Sequence, residues 1–234
     1  MTSKTYALIA AAGESRRMGG SNKILMPIAG KPLIAWTLEA FELCSDINEI
    51  IIIGHNDWLE EYWQVAKEFK ITKVKSIIPG GKERQDSVYC GLKEVLANGV
   101  ADDDLISIHN GANCLISVED ISACLAAAKE YGASVAAFPA QDTIKEVGED
   151  LFVIKTLERK KLWQMQTPQT IRIDIAKRAF VEAFAANFYG TDDVQLVERL
   201  GLPVKIVKCS VKNKKVTTPE DAQYCQLLLQ DKGE

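Results

Sequence analysis

Residues 49–54 read EIIIIG, four consecutive isoleucines closed by a glycine. A strand with one wet face alternates apolar and polar side chains, so a run without alternation needs cover on both faces. That requirement points to a parallel sheet with helices packed on either side. Other short apolar runs repeat the theme: TYALIA from Thr5, KSII from Lys75, LISIH from Leu105, SVAAFPA from Ser134 and PVKIV from Pro203. Amphipathic segments between them predict helices over 32–43, 58–69, 87–97, 118–131, 173–184, 193–200 and 219–229. The last opens with Thr218 as a cap, Pro219 at the first helical position and two acids in its first turn. The expected fold is α/β, a Rossmann-like, mostly parallel sheet with helices on both faces. In such sheets ligands sit beyond the carboxyl ends of the strands.

One segment breaks the rhythm. Residues 141–170 have no long helical period and read as a β-hairpin, TIKEV against FVIKTL, turning at GED. A hairpin leaving a compact body exposes its strand edges, and a partner subunit is the natural cover. The chain is therefore expected to form one domain, 1–234, with a dimerising β-arm at 141–165 within it.

Composition narrows the chemistry. Of 234 residues, 28 are Lys or Arg and 32 Asp or Glu, a net charge of −4 that argues against general nucleic-acid binding. The six cysteines show no C-x-x-C spacing, which removes a zinc or thioredoxin-like reading; they are expected to be reduced and mostly buried. With no leader pattern and no apolar run of the ~18 residues a membrane span needs, the expectation is a cytoplasmic protein.

Five segments carry polar chemistry. In ALIAAAGESRRMGGSNKI (7–24) a strand runs into a small-residue turn followed by Arg16, Arg17 and Lys23. The spacing fits neither G-x-G-x-x-G nor G-x-x-x-x-G-K-[ST]. It is either a phosphate cradle or a surface loop with incidental cations. PGGKERQDSVYCGL (79–92) places paired glycines after a strand, with Arg84 and Ser87 as donors, or else is a turn capped by Asp86 or Ser87. LISIHNGANCLIS (105–117) puts His109, Asn110 and Asn113 at a strand end, where a lone histidine is more often a structural hydrogen-bonder than a catalyst. Basic residues recur at Arg159, Lys160, Lys161, Lys212, Lys214 and Lys215, either as solvated faces or as partners of a phosphate-rich ligand. No Ser/His/Asp or Cys/His arrangement supports a hydrolase.

Taken in order, AAGESRRM with Lys23, GGKERQDSV, IHNGAN, QDTIK, ERKKLWQMQTPQ, TDD and NKKVTTPED resemble the 2-C-methyl-D-erythritol 4-phosphate cytidylyltransferase family over nearly the whole chain. The resemblance implies a nucleotidyltransferase-type sheet and a CTP-dependent, Mg²⁺-assisted transfer of CMP to a small polyol phosphate, releasing pyrophosphate. It implies catalytic roles for Arg17, Lys23, Arg159 and Lys215, and nucleotide contacts from Ala11, Ala12, Gly13, Gly81, Arg84 and Ser87. Acceptor contacts are implied for Asn110, Asn113, Thr143, Thr167 and Thr191. It also implies a homodimer in which the arm brings Thr143 and Arg159 to the partner's site. Ribitol-5-phosphate cytidylyltransferases share most of these motifs, so another polyol phosphate is an alternative acceptor. A catalytically silent nucleotide-binding protein is the alternative of another class.

The chain departs from the family pattern H-D-A-x-R-P, where it has His109, Asn110, Gly111, Ala112, Asn113 and Cys114, and it has Ile24 where glutamine is usual. Two neutral amides in place of −1 and +1 leave the local charge unchanged, which reads as a compensated pair.

Overall fold

The protein, seen here as a computed structural model, is described for residues 3–13 and 22–230. Among them the central sheet has seven strands, in the spatial order β11 (Lys205–Lys208), β7 (Ala133–Pro139), β10 (Trp163–Arg172), β6 (Leu105–Asn110), β1 (Thr5–Ala11), β4 (Glu49–Gly54) and β5 (Val74–Pro79). All neighbouring pairs are parallel except the two made by β10, which runs antiparallel to both β6 and β7. A short hairpin, β2 (Pro27–Ile28) with β3 (Lys31–Pro32), precedes the first helix.

The isoleucine run in β4 is buried throughout, and its alternate side chains serve opposite faces of the sheet. Ile50 and Ile52 pack with helices α1 (Leu33–Leu43), α2 (Leu59–Glu68) and α4 (Val118–Tyr131). Ile51 and Ile53 pack with α3 (Arg84–Ala97) and α5 (Ile173–Ala185). Gly91 lets α3 lie close, since a Cβ there would stand 2.7 Å from Ile53 Cδ1. A short α6 (Gln195–Arg199) extends the second layer, and α7 (Pro219–Gln230) packs with the small hairpin and residues 112–115.

Local signals set the helix ends. Ser117 Oγ accepts the Asp120 N–H at 3.1 Å to open α4, and Gly132 closes it with φ +88. The Asp221 N–H reaches Thr218 Oγ1 at 3.3 Å, the cap expected for α7. Helix α3 begins at Arg84, three residues before the expected start at 87, and neither Asp86 nor Ser87 is its N-cap. Asp86 lies within the first turn, where its carboxylate accepts the Glu83 N–H at 2.9 Å.

The hairpin read in 141–165 forms as β8 (Lys145–Val147) and β9 (Val153–Thr156). Trp163, Gln164 and Met165, at the end of that range, already run in β10 and pair with Pro139, Phe138 and Ala137 of β7. The six cysteines are free thiols; Cys90 is half-buried and the other five are buried. Burial pushes the Cys209 thiol up to about 11 and raises that of Cys124 further.

Candidate active site

Strands β1, β4, β5 and β6 end on one side of the sheet, and the loops after them surround a cleft of about 700 Å³. Ala12 and Gly13 extend from β1, Gly81, Arg84 and Ser87 from the β5–α3 junction, and Asn110 from β6; all line the cleft with Lys23 and Lys215. His55 and Asn56, from the end of β4, line it too and were not singled out from the sequence. Among the described lining the charged groups are Lys23, Lys82, Arg84 and Lys215 against one carboxylate, Glu83. Such a lining favours a polyanion.

Hydrogen bonds fix the rim. Ser87 Oγ accepts the Gly81 N–H at 3.0 Å and donates to the Glu83 carbonyl at 3.0 Å. The β1 loop and the paired-glycine loop touch at Gly80, where a Cβ would lie 2.5 Å from Ala12 Cβ. Lys23 Nζ donates to the Val216 carbonyl at 3.0 Å, so cations from opposite ends of the sequence share one cleft.

Arg84 is doubly anchored. Its Nη1 donates to Asn110 Oδ1 at 2.7 Å and its Nη2 to Asp193 Oδ2 at 2.6 Å. Asp193 is buried; burial raises its carboxyl pKa while the Arg84 guanidinium pulls it back down. The two asparagines of the HNGAN motif bond each other, Asn110 Nδ2 donating to Asn113 Oδ1 at 3.1 Å. Neutral amides thus meet where the family pattern has an aspartate and an arginine. His109 is fully enclosed, and its Nε2 lies 3.1 Å from the Asn113 carbonyl. A carbonyl only accepts, so Nε2 carries the proton. Burial pushes the His109 pKa down to about 4, leaving the ring neutral and structural near pH 7.

The remaining expected residues stand around the cleft or away from it. Ala11 is buried below the rim, with its carbonyl taken by Tyr62 Oη at 3.1 Å. Thr167 is buried behind Asn110, whose N–H donates to Thr167 Oγ1 at 3.3 Å. Asn113 is buried beside it. Thr191 is exposed and bonds Gln195 Oε1 through its N–H at 2.7 Å. Thr143 and Arg159 are exposed at the arm, where Arg159 Nη1 donates to the Gln141 carbonyl at 2.9 Å; neither lines the described cleft. Arg17, with Arg16, lies outside the described residues.

Three supporting residues escaped the sequence reading. Asp193 lies inside the TDD motif, a signal that could have found it. Gln169 Oε1 accepts the N–H groups of Asp193 and Val194 at 2.8 and 3.0 Å, and Asn213 Nδ2 donates to the Thr167 carbonyl at 2.7 Å. Both act across large sequence separations and leave no local pattern.

The family profile of 2-C-methyl-D-erythritol 4-phosphate cytidylyltransferase matches residues 5–231. The chain belongs to this family. Relatives bearing the cytidylyltransferase name include one from Dehalococcoides mccartyi, 42% identical over 229 residues, covering 98% of this chain and 97% of the relative. Another, from Pelotomaculum thermopropionicum, is 41% identical over 230 residues, covering 97% and 94%. Among solved structures, a 4-diphosphocytidyl-2C-methyl-D-erythritol synthase from Anaerococcus prevotii superposes with a TM-score of 0.85 at 26% identity, covering 97% of this chain and 96% of that one. The Francisella tularensis cytidylyltransferase gives 0.79 at 27% identity, covering 96% and 99%. As a member of the cytidylyltransferase family, the chain has a nucleotidyltransferase-type sheet.

Proposed function

We propose that the chain transfers CMP from CTP to the phosphate of 2-C-methyl-D-erythritol 4-phosphate, giving 4-diphosphocytidyl-2-C-methyl-D-erythritol and pyrophosphate. The observation that carries this reading is the basic cleft at the carboxyl ends of the strands, in a chain of this family. An oxygen of the acceptor phosphate attacks the α-phosphorus of CTP in line. The bond to the bridging oxygen breaks, and pyrophosphate leaves with the electron pair. No covalent enzyme intermediate is needed, so catalysis consists of alignment and stabilisation of charge.

Lys23 is assigned to the charge that builds at the α-phosphorus, with Arg17 as its expected companion. The backbone around Ala12 and Gly13, with Gly81 and Ser87, faces the nucleotide; Lys215 faces the acceptor, on a wall that Thr167 supports from behind Asn110. Arg84 ties the two sides together through Asn110 and Asp193. Mg²⁺ enters as the metal complex of CTP, part of the substrate. The described residues suit that better than a protein-held ion: they include no group of three or more His, Cys, Asp or Glu set to hold a metal, and Asp193 is engaged by Arg84.

The second part of the reading is a homodimer built by exchange of the 141–165 arm, which carries Thr143 and Arg159 to the partner's cleft. Its support is the apolar tip: Leu151, Phe152, Val153 and Ile154 are all exposed on one protomer. Free thiols support a cytoplasmic location, and no helix among the described residues is long and apolar enough to cross a membrane.

Pyrophosphate release from CTP tests the reading, with methylerythritol phosphate and ribitol 5-phosphate offered singly. Release with the first acceptor and not the second is expected. Release with ribitol 5-phosphate alone overturns the acceptor, and CTP binding without release under either condition overturns catalysis.

A further inference from the structure

Residues 210–218 carry Lys215 to the cleft, and their side chains and backbone are fastened on either side of it. One residue beyond, the Val216 N–H donates to the Ala112 carbonyl at 2.9 Å. Two residues before, Asn213 is wholly buried and bonds in two directions. Its Nδ2 donates to the Thr167 carbonyl at 2.7 Å, and its own carbonyl accepts Asn113 Nδ2 at 3.2 Å. Asn113 continues to Asn110, and the Asn110 N–H returns to Thr167 Oγ1. A closed ring of hydrogen bonds, made by amides and the Thr167 hydroxyl, therefore joins the 110–113 turn, the middle of β10 and the Lys215 loop.

Burying an amide side chain is costly unless its hydrogen bonds are made, and Asn213 Oδ1 has no partner among the described residues. A merely space-filling position would be served better by an apolar side chain. The short Nδ2 bond to Thr167 instead fixes the distance between the Lys215 loop and the strand that carries Thr167. We propose that Asn213 is a positioning residue for acceptor binding: it sets Lys215 against Thr167, with Asn113 as the second brace. The inference rests on the functional reading above, which places Lys215 and Thr167 on the acceptor side.

Steady-state kinetics on the full chain tests it. In Asn213→Ala the KM for methylerythritol phosphate should rise about tenfold or more, the loss of one buried hydrogen bond to a functional strand. The KM for CTP should stay within about threefold, because the nucleotide rim at Gly81 and Ser87 is braced independently. If Asn213 acts through Lys215, adding Asn213→Ala to Lys215→Ala should change acceptor KM far less than it does alone. Asn113→Ser, which removes the second brace and leaves the Thr167 bond, should show the same acceptor-selective rise in weaker form and covers the case in which Asn213→Ala fails to fold. Equal rises in both KM values, an unchanged acceptor KM in either variant, or full additivity with Lys215→Ala would overturn the inference while wild-type turnover stands. Absence of turnover in the wild-type chain would instead overturn the functional reading, and the inference with it.

Discussion

His109 sits one residue before the cleft, near the end of β6, fully buried with its ring centroid 5.1 Å from that of Phe41. Its pKa, lowered to about 4 from 6.5, means that the unfolded chain binds a proton in a range where the folded chain does not. The neutral ring therefore contributes fully to stability above about pH 6.5, and that contribution is lost as pH falls towards 4. Denaturant unfolding at pH 7 and pH 4.5 should show the wild type losing about 2 kcal/mol more than His109→Gln across that interval. Equal losses would mean that the ring is not the proton acceptor that matters. The neighbouring amides follow the same logic of burial. Asn110 bonds both Asn113 and Arg84, so two neutral amides fill the hydrogen-bonding places of this turn.

The elements that were legible in the sequence are those whose cause is local. The isoleucine run announces β4 because burial on both faces forbids alternation, and Thr218 with Pro219 announces the start of α7. Strand β10 was not legible: WQMQTPQTIR mixes glutamine and threonine with a proline, which reads as loop or edge. It is nevertheless central, because Gln169 and Thr170 are buried yet bonded to partners far away in the chain. The site divides the same way: the cleft loops follow strand ends and can be located from the strands, whereas the braces behind them depend on contacts between distant segments. The contact between the β1 loop and the β5–α3 loop offers a test at this scale. Gly80→Ala would bring its methyl within 2.5 Å of Ala12 Cβ and 2.8 Å of Ser87 Oγ, forcing the loops apart. CTP binding should weaken about tenfold or more, with little change in melting temperature, because the overpacking falls on the rim rather than on the core. Unchanged affinity for CTP would separate that contact from nucleotide binding.

Across the whole molecule, the arm and the sheet pose separate questions. If arms are exchanged, Arg159→Ala and Lys23→Ala lesions lie in different chains' contributions to one site. Mixing the two inactive variants should then restore about a quarter of wild-type sites, since half of randomly paired dimers are hybrids with one intact cleft. No recovery after verified subunit exchange would place each site within a single chain. The sheet itself is divided along the sequence. Strands β1, β4, β5 and β6 are contiguous in space and come from residues 5–110, while β7, β10 and β11 come from 133–208. β10 joins the two groups, and both native neighbours of β7 come later in the chain. On the ribosome, the nucleotide-facing strands can therefore pair before β10 has emerged, while β6 and β7 wait with open edges. The nascent chain acquires its acceptor wall last, and the interval before β10 arrives is when it most needs shielding from its neighbours.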